Sequence, residues 1–330
     1  MKNKNILVTG GCGLIGSNFI LKLLRQKCDI TIIDNFSTGL EKNLDIIKHQ
    51  SKKFKTNVNF YKINLCNKKK LNTIFNKHKF EYIFHFAAYS SVIESINYPK
   101  KIIQNNFIST KNLIFFVKKY GIKNFIFSSS ASLYGNLNFK KSIKENSKLK
   151  PINPYGYSKL ICEKEILKNY KNHKFRYCMF IYFNVVGRHV SKLIVEKKSL
   201  NLFETIYFTK KKNKCFYING KNLKTVDGTP LRDFISMEDV VNAHMECIKQ
   251  DKNKIFWNKI YNIGINKGIT VLQIINQYNK LFKKKIKYEL IEQKKGEIVK
   301  SIADNSKFLK FSNWRPKLID TKKIVSSFFK

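Results

Sequence analysis

The chain has 330 residues, 43% hydrophobic and 14% aromatic, enough apolar surface to bury one large core or two fused ones. It holds no run of about 18 apolar residues, and the apolar stretch after Asn5 is too short for a signal peptide, which points away from a membrane protein and toward a soluble, cytoplasmic one. The formal net charge of +42 would ordinarily suggest a nucleic-acid partner, but all but five of the 64 basic residues are lysines spread along nearly every segment. No element concentrates arginine forks beside aromatic platforms, so no specific nucleic acid is expected.

Short apolar runs alternate with longer amphipathic stretches in the first half, the pattern of a parallel sheet covered by helices on both faces. Candidate strands are Asn5–Thr9, Asp29–Ile33, Asn59–Lys62, Tyr82–Phe86, Asn124–Ser128 and Tyr177–Tyr182; their nearly continuous apolar character suits strands buried on both faces. Candidate helices are Ile15–Lys27, Lys68–Lys77, Ile103–Tyr120 and Ser158–Asn169. From Val185 to Arg232 the chain reads as lysine-rich and irregular, before a helix at Met237–Lys249. Two later apolar pieces, Tyr261–Ile263 and Val271–Phe282, suggest a smaller α/β lobe. The expected division is therefore a first domain over 1–183, to which the chain returns around 234–266, and a second over 184–330. The seven cysteines, 12, 28, 66, 162, 178, 215 and 247, are scattered with no Cys-x-x-Cys pair, so they read as free thiols, and no metal site is expected.

Three local patterns carry chemistry. The first strand runs into Gly10-Gly11-Cys12-Gly13-Leu14-Ile15-Gly16 and then a helix, so two glycine spacings, Gly10/Gly13/Gly16 and Gly11/Gly13/Gly16, both let the backbone approach a pyrophosphate at a helix N-terminus. Asp34, at the end of the second strand, would accept hydrogen bonds from the ribose hydroxyls of an adenosine and repel a 2′-phosphate, favouring NAD over NADP. Together they predict a Rossmann-type doubly wound sheet with a smaller C-terminal α/β substrate domain. Tyr155 and Lys159 lie at i and i+4 and share a helix face, placing an ammonium near a phenol; Tyr157 cannot do the same. Lowering a phenol's pKa by about three units corresponds to roughly 4 kcal/mol, for which Lys159 and a positive nicotinamide ring are candidate sources. Upstream, Ser128-Ser129-Ser130 end a strand at the edge where open parallel sheets bind ligands, so a hydroxyl there could bridge Tyr155 and a substrate oxygen. His85, a single histidine at a strand end, reads as packed, and Trp314 as an anchor for the tail.

With His85-Phe86-Ala87-Ala88, Asn105-Asn106, Tyr182-Phe183-Asn184 and Asp227-Gly228-Thr229-Pro230-x-Arg232-Asp233-Phe234-Ile235 added, the chain from Asn5 to Trp314 resembles the extended short-chain dehydrogenase/reductase family, and within it the UDP-galactose 4-epimerases. The resemblance implies Tyr155 as the base at the sugar 4-hydroxyl, Lys159 on the nicotinamide ribose, and Ser130 on the reacting oxygen. For NAD it implies Gly10, Gly13, Leu14, Ile15, Gly16, Asp34, Asn35, Asn64, Leu65, Phe86, Ala87, Ala88, Asn106, Tyr155, Lys159 and Tyr182. For the UDP-sugar it implies Ser130, Asn184, Asn201, Leu202, Arg232, Lys294 and Ser301, and it implies a homodimer through the helices at 103–120 and 158–169. Where relatives carry Asp, Asn64 stands; Lys294 or Lys295 replaces an arginine; and Ser90 replaces a lysine. A small residue at Ser301 would admit a 2-acetamido group, which leaves UDP-N-acetylglucosamine open as a substrate; UDP-glucuronate is a separate alternative. A 4,6-dehydratase on the same fold needs a carboxylate beside the serine loop, where Ser130-Ala131-Ser132 offers none.

Overall fold

The computed structural model describes residues 4–137, 142–170, 175–187, 202–283, 285–293, 296 and 298–329. In chain order its first half consists of β1 (Asn5–Thr9), α1 (Leu14–Leu23), β2 (Asp29–Asp34), α2 (Glu41–Phe54), β3 (Val58–Lys62), α3 (Lys68–Lys77), β4 (Tyr82–His85), α4 (Val92–Asn97), α5 (Pro99–Lys119), β5 (Asn124–Ser130), α6 (Pro154–Tyr170) and β6 (Arg176–Tyr182). There follow β7 (Asn184–Val186), α7 (Leu202–Lys211), β8 (Phe216–Asn219), β9 (Leu231–Arg232), β10 (Phe234–Ser236), α8 (Met237–Lys249), β11 (Lys259–Ile263), β12 (Ile269–Thr270), α9 (Val271–Phe282), β13 (Tyr288–Ile291), β14 (Lys300–Ser301), α10 (Ser306–Phe311) and α11 (Thr321–Phe329).

Seven strands form one parallel sheet in the order β11-β6-β5-β4-β1-β2-β3. Alternation along β1 explains why it sits at the centre: Ile6 and Val8 enter one core, Leu7 enters the other, and all three are fully buried. One face is covered by α1 and α8 through Phe19, Leu23, Val241 and Met245; the other by α3, α5 and α6 through Phe75, Phe116 and Ile166. The Phe75 and Phe116 rings stack with centroids 4.5 Å apart. Strand order reverses between β1 and β4, and at such a point the loops leaving the two carboxyl ends diverge and open a crevice.

Two sequence expectations change. The stretch read as irregular between Val185 and Arg232 contains β7, α7 and β8, and helices α2 and α4 were not anticipated. The small sheets of the second half, β7 with β10, β9 between β12 and β14, and β8 with β13, stand across the crevice from the glycine loop.

Candidate active site

A cavity of about 1070 Å³ lies at the carboxyl ends of the large sheet. At one end is the loop from β1 to α1. Gly10 has φ +68°, and a Cβ there would lie 2.6 Å from the Ala87 backbone nitrogen; a Cβ at Gly16 would lie 2.3 Å from the Gly10 carbonyl. These glycines let the loop, the start of α1 and the end of β4 close together. Helix α1 begins with no side-chain cap at Gly13, and Leu14, Ile15 and Gly16 line the cavity, so the unpaired donors of its first turn fit a pyrophosphate. Asp34 accepts from the Cys12 and Phe36 backbone N–H groups at 2.9 and 2.8 Å. Burial pushes its carboxyl up from the ordinary value, and those backbone bonds pull the other way. Asn35, Leu65, Phe86, Ala87 and Ala88 line the same end, as does Asn64, whose side-chain oxygen accepts from Cys66 N–H at 2.9 Å.

At the centre stand Ser130, Tyr155 and Lys159. Ser130 ends β5, and its hydroxyl lies beside the Tyr155 phenol, close enough to act on it. Helix α6 can bring Tyr155 this close because its neighbour is Gly156: a Cβ there would lie 2.4 Å from the Ser132 carbonyl. The Lys159 ammonium donates to the Ser128 carbonyl at 2.8 Å and lies 5.9 Å from the centre of the Tyr155 ring. Burial pushes Lys159 down to about 8, with Cys162 and Glu163 opposing. It pushes Tyr155 up to about 12, with the neighbouring Ser130 hydroxyl opposing. In the protein alone, desolvation therefore outweighs any lowering of the phenol by Lys159, and the added positive charge of a bound cofactor is what remains to draw the phenol down. Tyr182 bonds the Ser128 hydroxyl at 2.8 Å and His244 Nε2 at 2.7 Å, which fixes its ring in the wall. The sequence reading did not single out His244, which is fully buried, bonds the Val240 carbonyl through Nδ1 and packs against Phe86 and Phe180.

Asn184, Leu202, Arg232 and Ser301 line the opposite end. Arg232 and Ser301 face each other in the register of β9 and β14, and the Arg232 guanidinium donates to the carbonyls of Leu231, Ile298 and Val299. Asn201 and Lys294 lie outside the described residues. Asn106 does not line the cavity: its amide holds the Tyr89 backbone at 2.9 and 3.0 Å and the Ser158 hydroxyl at 3.0 Å, while its neighbour Asn105 faces the space. Helix phase on α5 separates the two. His85 is packed between Thr9 and Thr110, and burial drives it down to about 3, a neutral core histidine. Trp314 donates to the Asp239 carbonyl at 2.8 Å and ties the tail to α8. Residues the sequence reading passed over include Ile93, Asn153, Tyr217 and Asn219, on elements or loops without a chemical signature. Among the described residues, no group of three or more His, Cys, Asp or Glu is arranged to hold a metal, and no helix is long and apolar enough to cross a membrane.

A doubly wound sheet with a glycine-lined crevice, an acidic residue at the end of β2 and a Ser-Tyr-Lys set beside it defines an NAD-dependent enzyme of the short-chain dehydrogenase/reductase type. The chain belongs to the NAD dependent epimerase/dehydratase family, whose profile matches residues 6–264. It is 33% identical over 316 residues to the UDP-glucose 4-epimerase of Dictyostelium discoideum, covering 94% of this chain and 90% of that protein. Its fold superposes with a TM-score of 0.89 on the UDP-glucose 4-epimerase of Stenotrophomonas maltophila, solved with bound NAD and formylated UDP-arabinopyranose, at 26% identity over 98% of this chain and 96% of that one. The UDP-Glc/GlcNAc 4-epimerase of Campylobacter jejuni gives a TM-score of 0.82 at 31% identity, covering 99% and 98%.

Proposed function

We propose that the protein catalyses NAD-dependent epimerisation at C4 of a UDP-hexose through a 4-keto sugar, with UDP-glucose and UDP-galactose as the pair. The observation that carries this reading is the position of Ser130, Tyr155 and Lys159 midway between the glycine loop and the Arg232 wall, within one cavity. The glycine loop and Asp34 would hold NAD, which would supply a hydride acceptor that is also the donor for the return step. Tyr155 takes the proton of the sugar 4-hydroxyl and gives it back, Ser130 holds the reacting oxygen, and Lys159 orients the cofactor ribose and adds positive charge beside the phenol. Because the proton and the hydride both return, the reaction has no net redox change. Arg232, Asn184 and Leu202 bind the UDP portion, and the family resemblance assigns Asn201 and Lys294 to the same ligand.

Ser301 is 4% exposed and lies in the cavity wall, and a small side chain there supports the N-acetylated substrate as a second reading, as the likeness to the Campylobacter jejuni enzyme does. We assign the NAD-binding domain to 1–183 with the return around 234–266, where β11 joins the large sheet, and the sugar-nucleotide domain to 184–330. Ile108 and Phe115, each 39% exposed on α5, support a homodimer through α5 and α6, and the free cysteines support a cytoplasmic location. A Tyr155→Phe variant tests the chemistry: kcat is expected to fall by about 10²–10⁴ while UDP-sugar binding persists. Full turnover in that variant refutes the mechanism.

A further inference from the structure

Three buried side-chain atoms among the described residues lack a hydrogen-bond partner of normal geometry, and two of them, Ser129 Oγ and Glu163 Oε1, are neighbours. Glu163 is 3% exposed, one turn beyond Lys159 on α6, and outside the cavity lining. Ser129 belongs to β5, between Ser128, whose carbonyl takes the Lys159 ammonium, and Ser130, whose hydroxyl meets Tyr155. A carboxyl group in dry surroundings with an unfilled oxygen is costly, and nothing in the packing of the hydrophobic core requires it. We propose that Glu163, beside Ser129, is a positioning residue that keeps Lys159 charged and thereby keeps Tyr155 competent to accept the substrate proton. The inference rests on the reading of Tyr155 as the base.

The surroundings leave this pair as the charges that matter. From β4, His85 is held neutral by burial, with Lys159 adding to the effect. From β6, Tyr177 is raised to about 12 by burial, with Tyr170, Cys178 and Glu163 adding to it; Tyr134, beyond β5, is raised further in the same way. On α6 itself, burial raises Cys162 to about 11, and Glu165 acts on that thiol. Burial raises Glu163 to about 7, opposed by Ser129 and Lys159, and it lowers Lys159 to about 8. Glu163 is ionised above its own value, and Lys159 is charged below its own. Removing the carboxylate takes away a negative neighbour, so Lys159 loses its proton at lower pH.

The test is the pH profile of kcat for the NAD-loaded Glu163→Gln enzyme with UDP-galactose. Its alkaline limb moves to lower pH by about one pH unit, so that the deficit against the native enzyme is small near pH 6 and reaches about tenfold near pH 8.5, because the rate falls about tenfold for each pH unit beyond the limb. KM stays within about twofold, because Glu163 lies outside the cavity. Ser129→Ala moves the limb the same way by less, and the double variant adds nothing to Glu163→Gln, as expected for two groups on one path. Glu163→Asp restores part of the alkaline limb. A loss of kcat that is the same at every pH, or an unshifted limb, overturns the inference. If Tyr155→Phe is inactive and the Glu163→Gln profile matches the native one, only the inference falls; if Tyr155→Phe turns over normally, the base assignment falls with it.

Discussion

At the residue scale, the site was legible where chemistry depends on spacing within a few positions. The glycine loop and the Tyr155/Lys159 pair are set by a turn and by one helical repeat, and Asp34 by the end of a strand, so each could be named before any tertiary contact was known. The same reasoning fails where a choice between neighbours rests on helix phase. Asn105 and Asn106 are indistinguishable in sequence, yet α5 turns Asn106 toward Tyr89 and Ser158 and leaves Asn105 at the cavity. It fails again for Glu163 and His244, whose positions behind the wall come from packing between elements far apart in the chain. The charge on Tyr155 was also beyond spacing arguments: the expected neighbour Lys159 is present, but burial dominates the phenol.

At the element scale, the parallel strands were found nearly to the residue, because strands buried on both faces are apolar throughout and the intervening helices set their period. Helix α2 escaped because only two of its buried residues, Leu44 and Ile47, are apolar, and they are diluted by lysines on the solvent face. The short pieces β7 and β9 are two or three residues long and are defined by partners β10, β12 and β14, which lie downstream of them. The contact between α6 and the turn after β5 is the one on which the site depends most. A Gly156→Ala substitution places a Cβ against the Ser132 carbonyl, so the helix must withdraw. Such overpacking costs about 1–3 kcal/mol, and thermal unfolding should report a lower Tm together with reduced kcat as Tyr155 moves away from Ser130. An unchanged Tm and kcat would show that the helix and turn have room to separate without consequence.

At the scale of the whole molecule, the amino-terminal edge of the sheet is clamped opposite the active site. Asp251, after α8, takes Lys4 at 2.8 Å from the start of β1 and Arg176 at 2.7 Å from the start of β6, and it also meets the Tyr82 hydroxyl on β4. Burial raises its carboxyl, but the hydrogen bonds from Lys4, Tyr82 and Arg176 outweigh that and hold it at about 2, against an ordinary 3.8. The folded value is depressed, so the stabilisation is complete above the unfolded value and is lost as pH falls through the folded one. Asp251→Asn should therefore lower stability by about 1 kcal/mol at pH 7, a partly exposed cluster being screened by solvent. In thermal melts the gap to the native protein should close as pH drops from about 4 through about 2; a gap that persists at the lowest pH would place the effect elsewhere.

The central claim is C4 epimerisation of a UDP-hexose, and the most direct measurement is chromatography of the sugar nucleotides after incubation of the purified, NAD-loaded protein with UDP-galactose, and separately with UDP-N-acetylgalactosamine, without an added acceptor. Interconversion with the gluco partner, and no accumulation of reduced cofactor, is the predicted result, and the substrate that reacts faster identifies the pocket that Ser301 forms. A 4-keto-6-deoxy sugar, or unchanged substrate in both mixtures despite bound NAD, would contradict it.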